Sequence, residues 1–365
     1  LLSLIRDELL ELRSSYGDER KCIITEAEGE VRMEDLIPND GCVVTVTKSG
    51  FIKRTSVEEY RLQNRGGKGV IGSGQKDEDP VNVLQTCNAH DTLMFIMNNG
   101  RVYVEKAYEI PEGSRTSKGR NIVNFLELQK GETIAALISI DSFESEKSLI
   151  LCTKKGVVKK TKIDAYKNYR KGGIIGINVD DGDLVLKALL ASDDNHLLIL
   201  TRKGKGLRFD CMQLRNQGRV TRGVRGIRLK KDDSVVNLLV VDDSKLLLIA
   251  GTNGLGIRTR FSTFLPNGGK VDTSANVDDA DATPRKRGGQ GVTAMNTDSV
   301  CDALSVDQES EILMITHRGQ AVRCPVTNIR ETNRGSKGVR LVNLDTKDSL
   351  VGLSEVVMLD EDVVE

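Results

Sequence analysis

One unit of about fifty residues recurs six times along this chain of 365. Each unit opens with an apolar run, then a turn glycine, then a basic strand. The six openings are TVTKSGFIKR, FIMNNGRVYV, ILCTKKGVVKK, ILTRKGKGLRF, IAGTNGLGIRT and MITHRGQAVR, turning at Gly50, Gly100, Gly156, Gly204, Gly254 and Gly319. A repeat of that length marks a propeller or a related radial array, in which each unit is one supersecondary element that buries its faces against its neighbours. The repeats are read as one large all-β domain, with one surface presented again at every unit.

A second anchor follows in most units, an Arg-x-x-x-Gly-apolar signature roughly twenty residues after the first glycine. It reads RGGKGV from Arg65, RTSKGR from Arg115, RGVRGI from Arg222, RGGQGV from Arg287 and RGSKGV from Arg334, while the third unit offers RKGGII from Arg170. An apolar strand closes each unit: VNVLQTC, TIAALISI, LVLKALLA, VVNLLVV, VCDALSV and SLVGLSEVV. Four short β-rich runs separated by glycine turns make one blade of sheet, so six blades of four strands are expected.

Outside the repeats, residues 1–20 read as the end of a helix and a linker, with Leu2, Ile5, Leu9 and Leu12 at helical spacing and Gly17 as the stop. The repeat domain is expected over 21–358, with a polar insertion at 266–286 and a short acidic tail at 359–365. An opening without an initiator methionine suggests the C-terminal part of a longer polypeptide. No apolar run reaches the roughly eighteen residues of a membrane helix, and no signal-peptide pattern is present, so a soluble, cytoplasmic protein with no membrane partner is expected. Seven cysteines are scattered without a C-x-x-C pair and three histidines lie far apart. That pattern suits thiols in a reducing compartment, with no metal and no cofactor.

Net charge is zero, but the average conceals a partition. The segments running from each turn glycine to the second anchor hold 41 of the 53 Lys and Arg but 12 of the 53 Asp and Glu. Charge sorted by position within a repeat becomes charge sorted in space, and a basic band of that kind is the electrostatic footprint of a nucleic-acid binder. The candidate contacts are Lys53 and Arg54 in the first unit, Arg115, Lys118 and Arg120 in the second, and Lys154, Lys155, Lys159, Lys160, Arg170 and Lys171 in the third. The fourth unit adds Arg202, Lys203, Lys205, Arg219, Arg222, Arg225 and Arg228; Arg287, Arg334 and Lys337 complete the set.

The most specific local motif is Gln63-Asn64-Arg65-Gly66-Gly67-Lys68-Gly69. Its glycines permit positive φ and close backbone approach to phosphate oxygens, while Arg65 and Lys68 supply charge. Such a loop grips the nucleic-acid backbone rather than reading bases. Residues 67–72 also match G-x-G-x-x-G, but the loop sequence that follows lacks the helix a dinucleotide site needs. No arrangement of catalytic side chains can be assembled from the sequence.

The motif resembles the "GyrA box" of the DNA gyrase A subunit, Q-R-R-G-G-K/R-G, with Asn64 where that family usually has Arg. From about residue 3 to the acidic end the chain resembles that subunit's C-terminal domain. The resemblance implies a six-bladed β-pinwheel, a propeller-like disc whose blades exchange strands. It also implies a non-catalytic part of an ATP-dependent type II topoisomerase that wraps and bends double-stranded DNA, nearly independently of sequence, so that negative supercoils can be introduced. The implied partners are DNA, the remainder of the gyrase A subunit and, through it, the gyrase B subunit, in the bacterial nucleoid. The matching domain of the topoisomerase IV A-type subunit and a protein-interaction propeller are the alternatives.

Overall fold

The computed structural model describes residues 2–18, 33–57, 79, 81–114, 117–266, 284–318, 320–346 and 348–356. The chain divides into two units, residues 1–38 and 39–365. In the first, α1 (Leu2–Tyr16) leaves Leu2, Leu9 and Leu12 exposed, and the Gly17 N–H donates back to the Arg13 carbonyl at 2.9 Å, ending the helix where the sequence places its stop. A single turn, α2 (Met33–Leu36), follows. No described helix is long and apolar enough to cross a membrane.

The second unit is all-β. The first repeat supplies β1 (Gly41–Thr47), β2 (Phe51–Ser56) and β3 (Val81–Asn88). The second supplies β4 (Thr92–Met97), β5 (Arg101–Lys106), the two-residue β6 (Arg120–Asn121) and β7 (Ile134–Ile140). The third supplies β8 (Ser148–Thr153), β9 (Val157–Lys162), β10 (Ile174–Ile175) and β11 (Val185–Ala191). The fourth supplies β12 (His196–Thr201), β13 (Lys205–Asp210), β14 (Val224–Arg225) and β15 (Val235–Val240). The fifth supplies β16 (Leu246–Gly251), β17 (Leu255–Arg260), β18 (Val292–Thr293) and β19 (Val300–Val306). The sixth supplies β20 (Glu311–Thr316), β21 (Ala321–Pro325), β22 (Val339–Arg340) and β23 (Leu350–Val356).

The sheets do not respect repeat boundaries. Their orders are β3-β1-β2-β6, β7-β4-β5-β10, β11-β8-β9-β14, β15-β12-β13-β18 and β19-β16-β17-β22, followed by β23-β20-β21. The outermost strand of each of the first five blades is therefore donated by the next repeat, which laces every seam between these blades covalently. A unit whose edge strand belongs to its neighbour cannot open alone, so unfolding is coupled along the array.

Each hairpin turn is built the same way. The described turn glycines, Gly50, Gly100, Gly156, Gly204 and Gly254, all sit at φ between +70 and +86°, the left-handed region where a Cβ is penalised. Ahead of them a side-chain oxygen ties the turn. Thr47, Thr153 and Thr201 accept from the N–H four residues on at 3.1, 3.1 and 3.2 Å. Where threonine is missing, Asn99 and Asn253 accept from Arg101 and Leu255 instead. Every sheet also carries a bulge next to that residue, between Val46 and Thr47 in the first and between Ile315 and Thr316 in the sixth.

First strands such as β4, β8 and β16 are buried on both faces, which is why their sequences run TLMFIM, SLILCT and LLLIAG without alternation. Apolar clusters fill the five seams from the first blade to the sixth, for example Leu149, Leu151 and Tyr166 between the second and third. β20, by contrast, alternates between buried and half-buried residues along its length. Cys42 and Cys87, distant in sequence, are cross-strand partners whose sulfurs approach to 3.5 Å as free thiols.

Candidate nucleic-acid interface

Neighbouring blades touch through β3, β7, β11, β15, β19 and β23 in succession, so these closing strands line the side where the six blades of the ring converge. The donated strands lie at the opposite edge of each sheet. The basic segments build the second strand, a 3-10 turn and the donated strand, which is the outward half of the blade. Among the described residues of the second unit, acidic side chains outside these segments fall on inward strands and connecting loops. There some of it has structural work: Asp79, Asp183 and Asp233 each accept a hairpin-turn N–H, from Ser49, Lys155 and Lys203, at 2.8–2.9 Å.

The glycine before each donated strand explains the second anchor. Gly119, Gly173, Gly223, Gly291 and Gly338 have φ of +70 to +86°. An added Cβ at Gly223 would stand 2.7 Å from the Val158 carbonyl, and at Gly338 2.3 Å from the Gly256 carbonyl. These glycines let a loop dock flat on the preceding blade. They also correct one reading: in the fourth repeat the signature is Arg219-Val-Thr-Arg-Gly223, not the frame starting at Arg222, because Gly223 has the positive φ and β14 begins directly after it. RVTRGVRGI carries arginines every third residue and fits both frames. RKGGII in the third repeat supplies the equivalent glycine, Gly173 ahead of β10, with its arginine one residue nearer.

The candidate cations separate into three groups. Lys118, Arg120, Lys154, Lys155, Arg170, Lys171, Arg202, Lys203, Arg222, Arg225, Arg228 and Lys337 are exposed. Some are lightly held: the Lys118 ammonium lies 4.1 Å over the Phe51 ring, Lys203 donates to the Lys231 carbonyl, and Arg222 pairs with Asp180 at 3.3 Å. Half-buried Arg54, Lys205, Arg219, Arg287 and Arg334 form the second group. Here Arg54 reaches Glu112 at 3.5 Å and Lys205 donates to the Thr293 hydroxyl at 2.9 Å. Arg334 donates to the Thr263 and Thr293 carbonyls at 2.6 and 3.3 Å, and Arg287 donates to the carbonyls of Gln213 and Arg225, fastening loops of adjacent repeats.

The third group is a correction. Lys53, Lys159 and Lys160 are 4, 1 and 2 % exposed and do not belong to an outer band. Lys53 donates to the carbonyls of Ser114 and Ser117 at 3.1 and 3.0 Å. Lys159 donates to those of Gly176 and Arg219, and Lys160 pairs with Asp193. Burial lowers the Lys159 ammonium to about 8, with the Arg219 charge adding to the effect. A buried amine whose hydrogens are committed to carbonyls staples donated segments and is withheld from phosphate.

Residues 63–69 and Arg115 lie outside the described residues, as do 267–283 of the insertion and the acidic tail. Two features escaped the sequence reading. Arg340 in β22 is exposed at the place Arg225 holds in β14, two residues after the anchor glycine, a correspondence visible once the repeats are aligned on those glycines. Arg208 forms a second buried cluster, donating to His196 Nδ1 and to both oxygens of Asp243. Burial, then the Arg208 charge, holds His196 below its usual 6.5. Among the described residues no group of His, Cys, Asp and Glu could hold a metal ion.

The first five blades are strand-exchanging four-stranded sheets with exposed cations along their donated edges, the architecture of a β-propeller. A family model described as DNA gyrase C-terminal domain, beta-propeller, matches residues 43–88, 91–141, 147–192, 195–242, 284–300 and 310–356, and the chain belongs to that family. It is 39 % identical to the DNA gyrase A subunit of Mycolicibacterium smegmatis over 364 residues, covering 98 % of this chain and 41 % of that protein. It is 36 % identical to that of Clostridium acetobutylicum, covering 100 % and 42 %. The chain thus spans about two fifths of the length of these relatives. The solved structure of a DNA gyrase A C-terminal domain superposes with a TM-score of 0.67 at 30 % identity, covering 87 % of this chain and all of the other. That of a topoisomerase IV C-terminal domain does so at 0.70 and 24 %, covering 88 % and 94 %, a likeness of fold.

Proposed function

We propose that this chain is the DNA-wrapping part of a gyrase A subunit, non-catalytic in itself, which bends duplex DNA around the outer edge of its blades. The observation that carries the reading is the exposed cation on four of the five donated strands or their loops, Arg120, Arg170, Arg225 and Arg340, at the outermost edge of each sheet. Contacts of that kind meet phosphates without reading bases, so binding is nearly independent of sequence. Bending a 20–30 base-pair arc by 40–90° costs about 1–6 kcal/mol, which many dispersed ion contacts can offset. The remainder of the gyrase A subunit and, through it, the gyrase B subunit would use the curved segment for strand passage with a fixed sense.

The test is topological. Relaxed circular DNA incubated with the domain and a type I topoisomerase, then deproteinised, should show a shifted linking number in proportion to bound protein. Binding without any shift would leave a DNA-binding domain that does not wrap. Residues 63–69 enter as a proposed fastening loop. Alanine replacement of all seven should keep most of the affinity and remove the linking-number shift; a full shift in that variant would take the fastening role away from the loop.

A further inference from the structure

Between the donated edge of the second blade and that of the third lies a groove of 690 Å³. One wall comes from the third repeat, with Lys167, Tyr169, Arg170 and Ile175; the other from the fourth, with Arg219 and Val220. Three of these are cations, and no carboxylate lines the groove. The other three are large apolar surfaces left in water: Tyr169 and Ile175 are each 41 % exposed and Val220 is 61 %. Ile175 stands at the second position of β10, where β14 and β22 carry Arg225 and Arg340. β6 and β18 carry Asn121 and Thr293 there, so among the described donated strands β10 alone presents hydrocarbon at this position.

The groove is held open from below. The buried Lys159 ammonium donates to the Gly176 carbonyl, directly after Ile175, and to the Arg219 carbonyl across the gap, so a single side chain ties both walls. The Tyr169 ring is backed by Phe143, with centroids 6.1 Å apart. Lys167 has an exposed partner outside the groove, Glu144 at 3.7 Å, a contact worth little in water. Walls this constrained lose little entropy on binding a ligand.

We infer that this groove seats one sugar–phosphate strand of the duplex, its apolar walls against deoxyribose C–H surface and Lys167, Arg170 and Arg219 on the flanking phosphates. The inference rests on the wrapping reading above, with which it shares Arg170, and adds to it an apolar contact with the sugars. A concave, cation-edged, partly apolar channel matches the alternation of sugar and phosphate along a strand. A bare cationic surface matches phosphate alone. The seat contributes affinity that salt does not screen, because burying hydrocarbon releases water rather than counterions. It therefore fixes where along the edge the duplex is registered.

The experiment compares binding of a 40-base-pair duplex across a salt series. The Ile175→Ser/Val220→Ser double variant should bind roughly tenfold more weakly at every salt, with the slope of log K against log salt unchanged. Arg170→Ala/Arg219→Ala should instead make the slope shallower by about 1.8. As a check independent of affinity, Val220→Cys carrying an iron chelate should cleave deoxyribose at one restricted position on each bound duplex. Wild-type affinity in the serine variant, or a slope change there, overturns the seat, as does a tethered iron that cuts nothing while the duplex stays bound. A wild-type domain that bound no duplex would overturn the wrapping reading itself.

Discussion

Lys159 and Arg225 lie in the same blade, on paired strands, and come from equally basic stretches of sequence, yet they do opposite things. The Lys159 amine is buried and committed to two carbonyls, while the Arg225 guanidinium stands in water at the sheet edge. The difference is position in the repeat. Lys159 occupies the third residue of its second strand, a place filled in other blades by buried Tyr103, Leu207 and Ile257. Arg225 occupies the donated strand, which has a partner on one side only. Cations inside the sheet hold the exchange of strands together; those on the donated edge are free to meet a polyanion. A basic count alone cannot distinguish them.

The comparison is broken most severely by removing the staple. Lys159→Met leaves the Gly176 and Arg219 carbonyls without their donor and should cost about 2–4 kcal/mol of stability, measured by denaturant unfolding. The same residue sets a pH dependence. Its folded value of about 8 lies below the 10.5 of the free side chain, so between those pH values the unfolded chain holds the extra proton. Stability of the wild type should therefore rise from pH 8 to 10 relative to the Met variant. A constant difference between the two would remove Lys159 from the titration.

Next in size is Gly223→Ala. At φ +86°, with a carbonyl 2.7 Å from the new Cβ, the loop cannot dock unchanged, and about 1–3 kcal/mol should be lost. The same substitution at Gly226, the glycine of the competing frame, has no forbidden φ but sets its Cβ 2.7 and 2.8 Å from the buried methyls of Val158 and Ile199, an overpacking that should cost about 1–3 kcal/mol. A loss below about 0.5 kcal/mol for Gly223→Ala, read from denaturant unfolding, would undo the register assigned to the fourth repeat. Thr201→Val should cost about 1 kcal/mol, since its hydroxyl accepts from Lys205 and donates to Asp233.

The smallest effect concerns His196. Its depressed value means that the folded state prefers the neutral ring, whose Nδ1 accepts from Arg208. Stability should be complete above about 6.5 and decline as pH falls below it, by an increment that His196→Asn abolishes. Unfolding midpoints at pH 7 and 5.5 for the two proteins would show it.

The repeat period, the turn glycines and the closing apolar strands were legible because each is a local requirement: positive φ at Gly156, hydrocarbon on both faces of SLILCT. Strand exchange was not legible in the spacing, since periodicity is identical whether an edge strand serves its own blade or the one before; it entered as an implication of the family resemblance. The fate of VVKKTK was hidden for another reason. Two adjacent lysines on a strand point to opposite faces, and only the packing of both faces reveals that neither reaches solvent. Aligning Lys53 and Lys159 with Tyr103 and Ile257 across repeats exposes the pattern, because a core position persists when its chemistry changes.

The division of labour between the two sets of cations is tested most directly by the salt dependence of duplex binding. Neutralising Arg202, Lys203, Arg225 and Arg228 to alanine removes four candidate phosphate contacts and should make the slope of log K against log salt shallower by about 3.6, with each change moving stability by less than about 0.5 kcal/mol. Lys159→Met, measured under conditions where it remains folded, should leave that slope where it was. An unchanged slope in the edge variant, or a slope lost with Lys159, would contradict the assignment of binding to the donated edge.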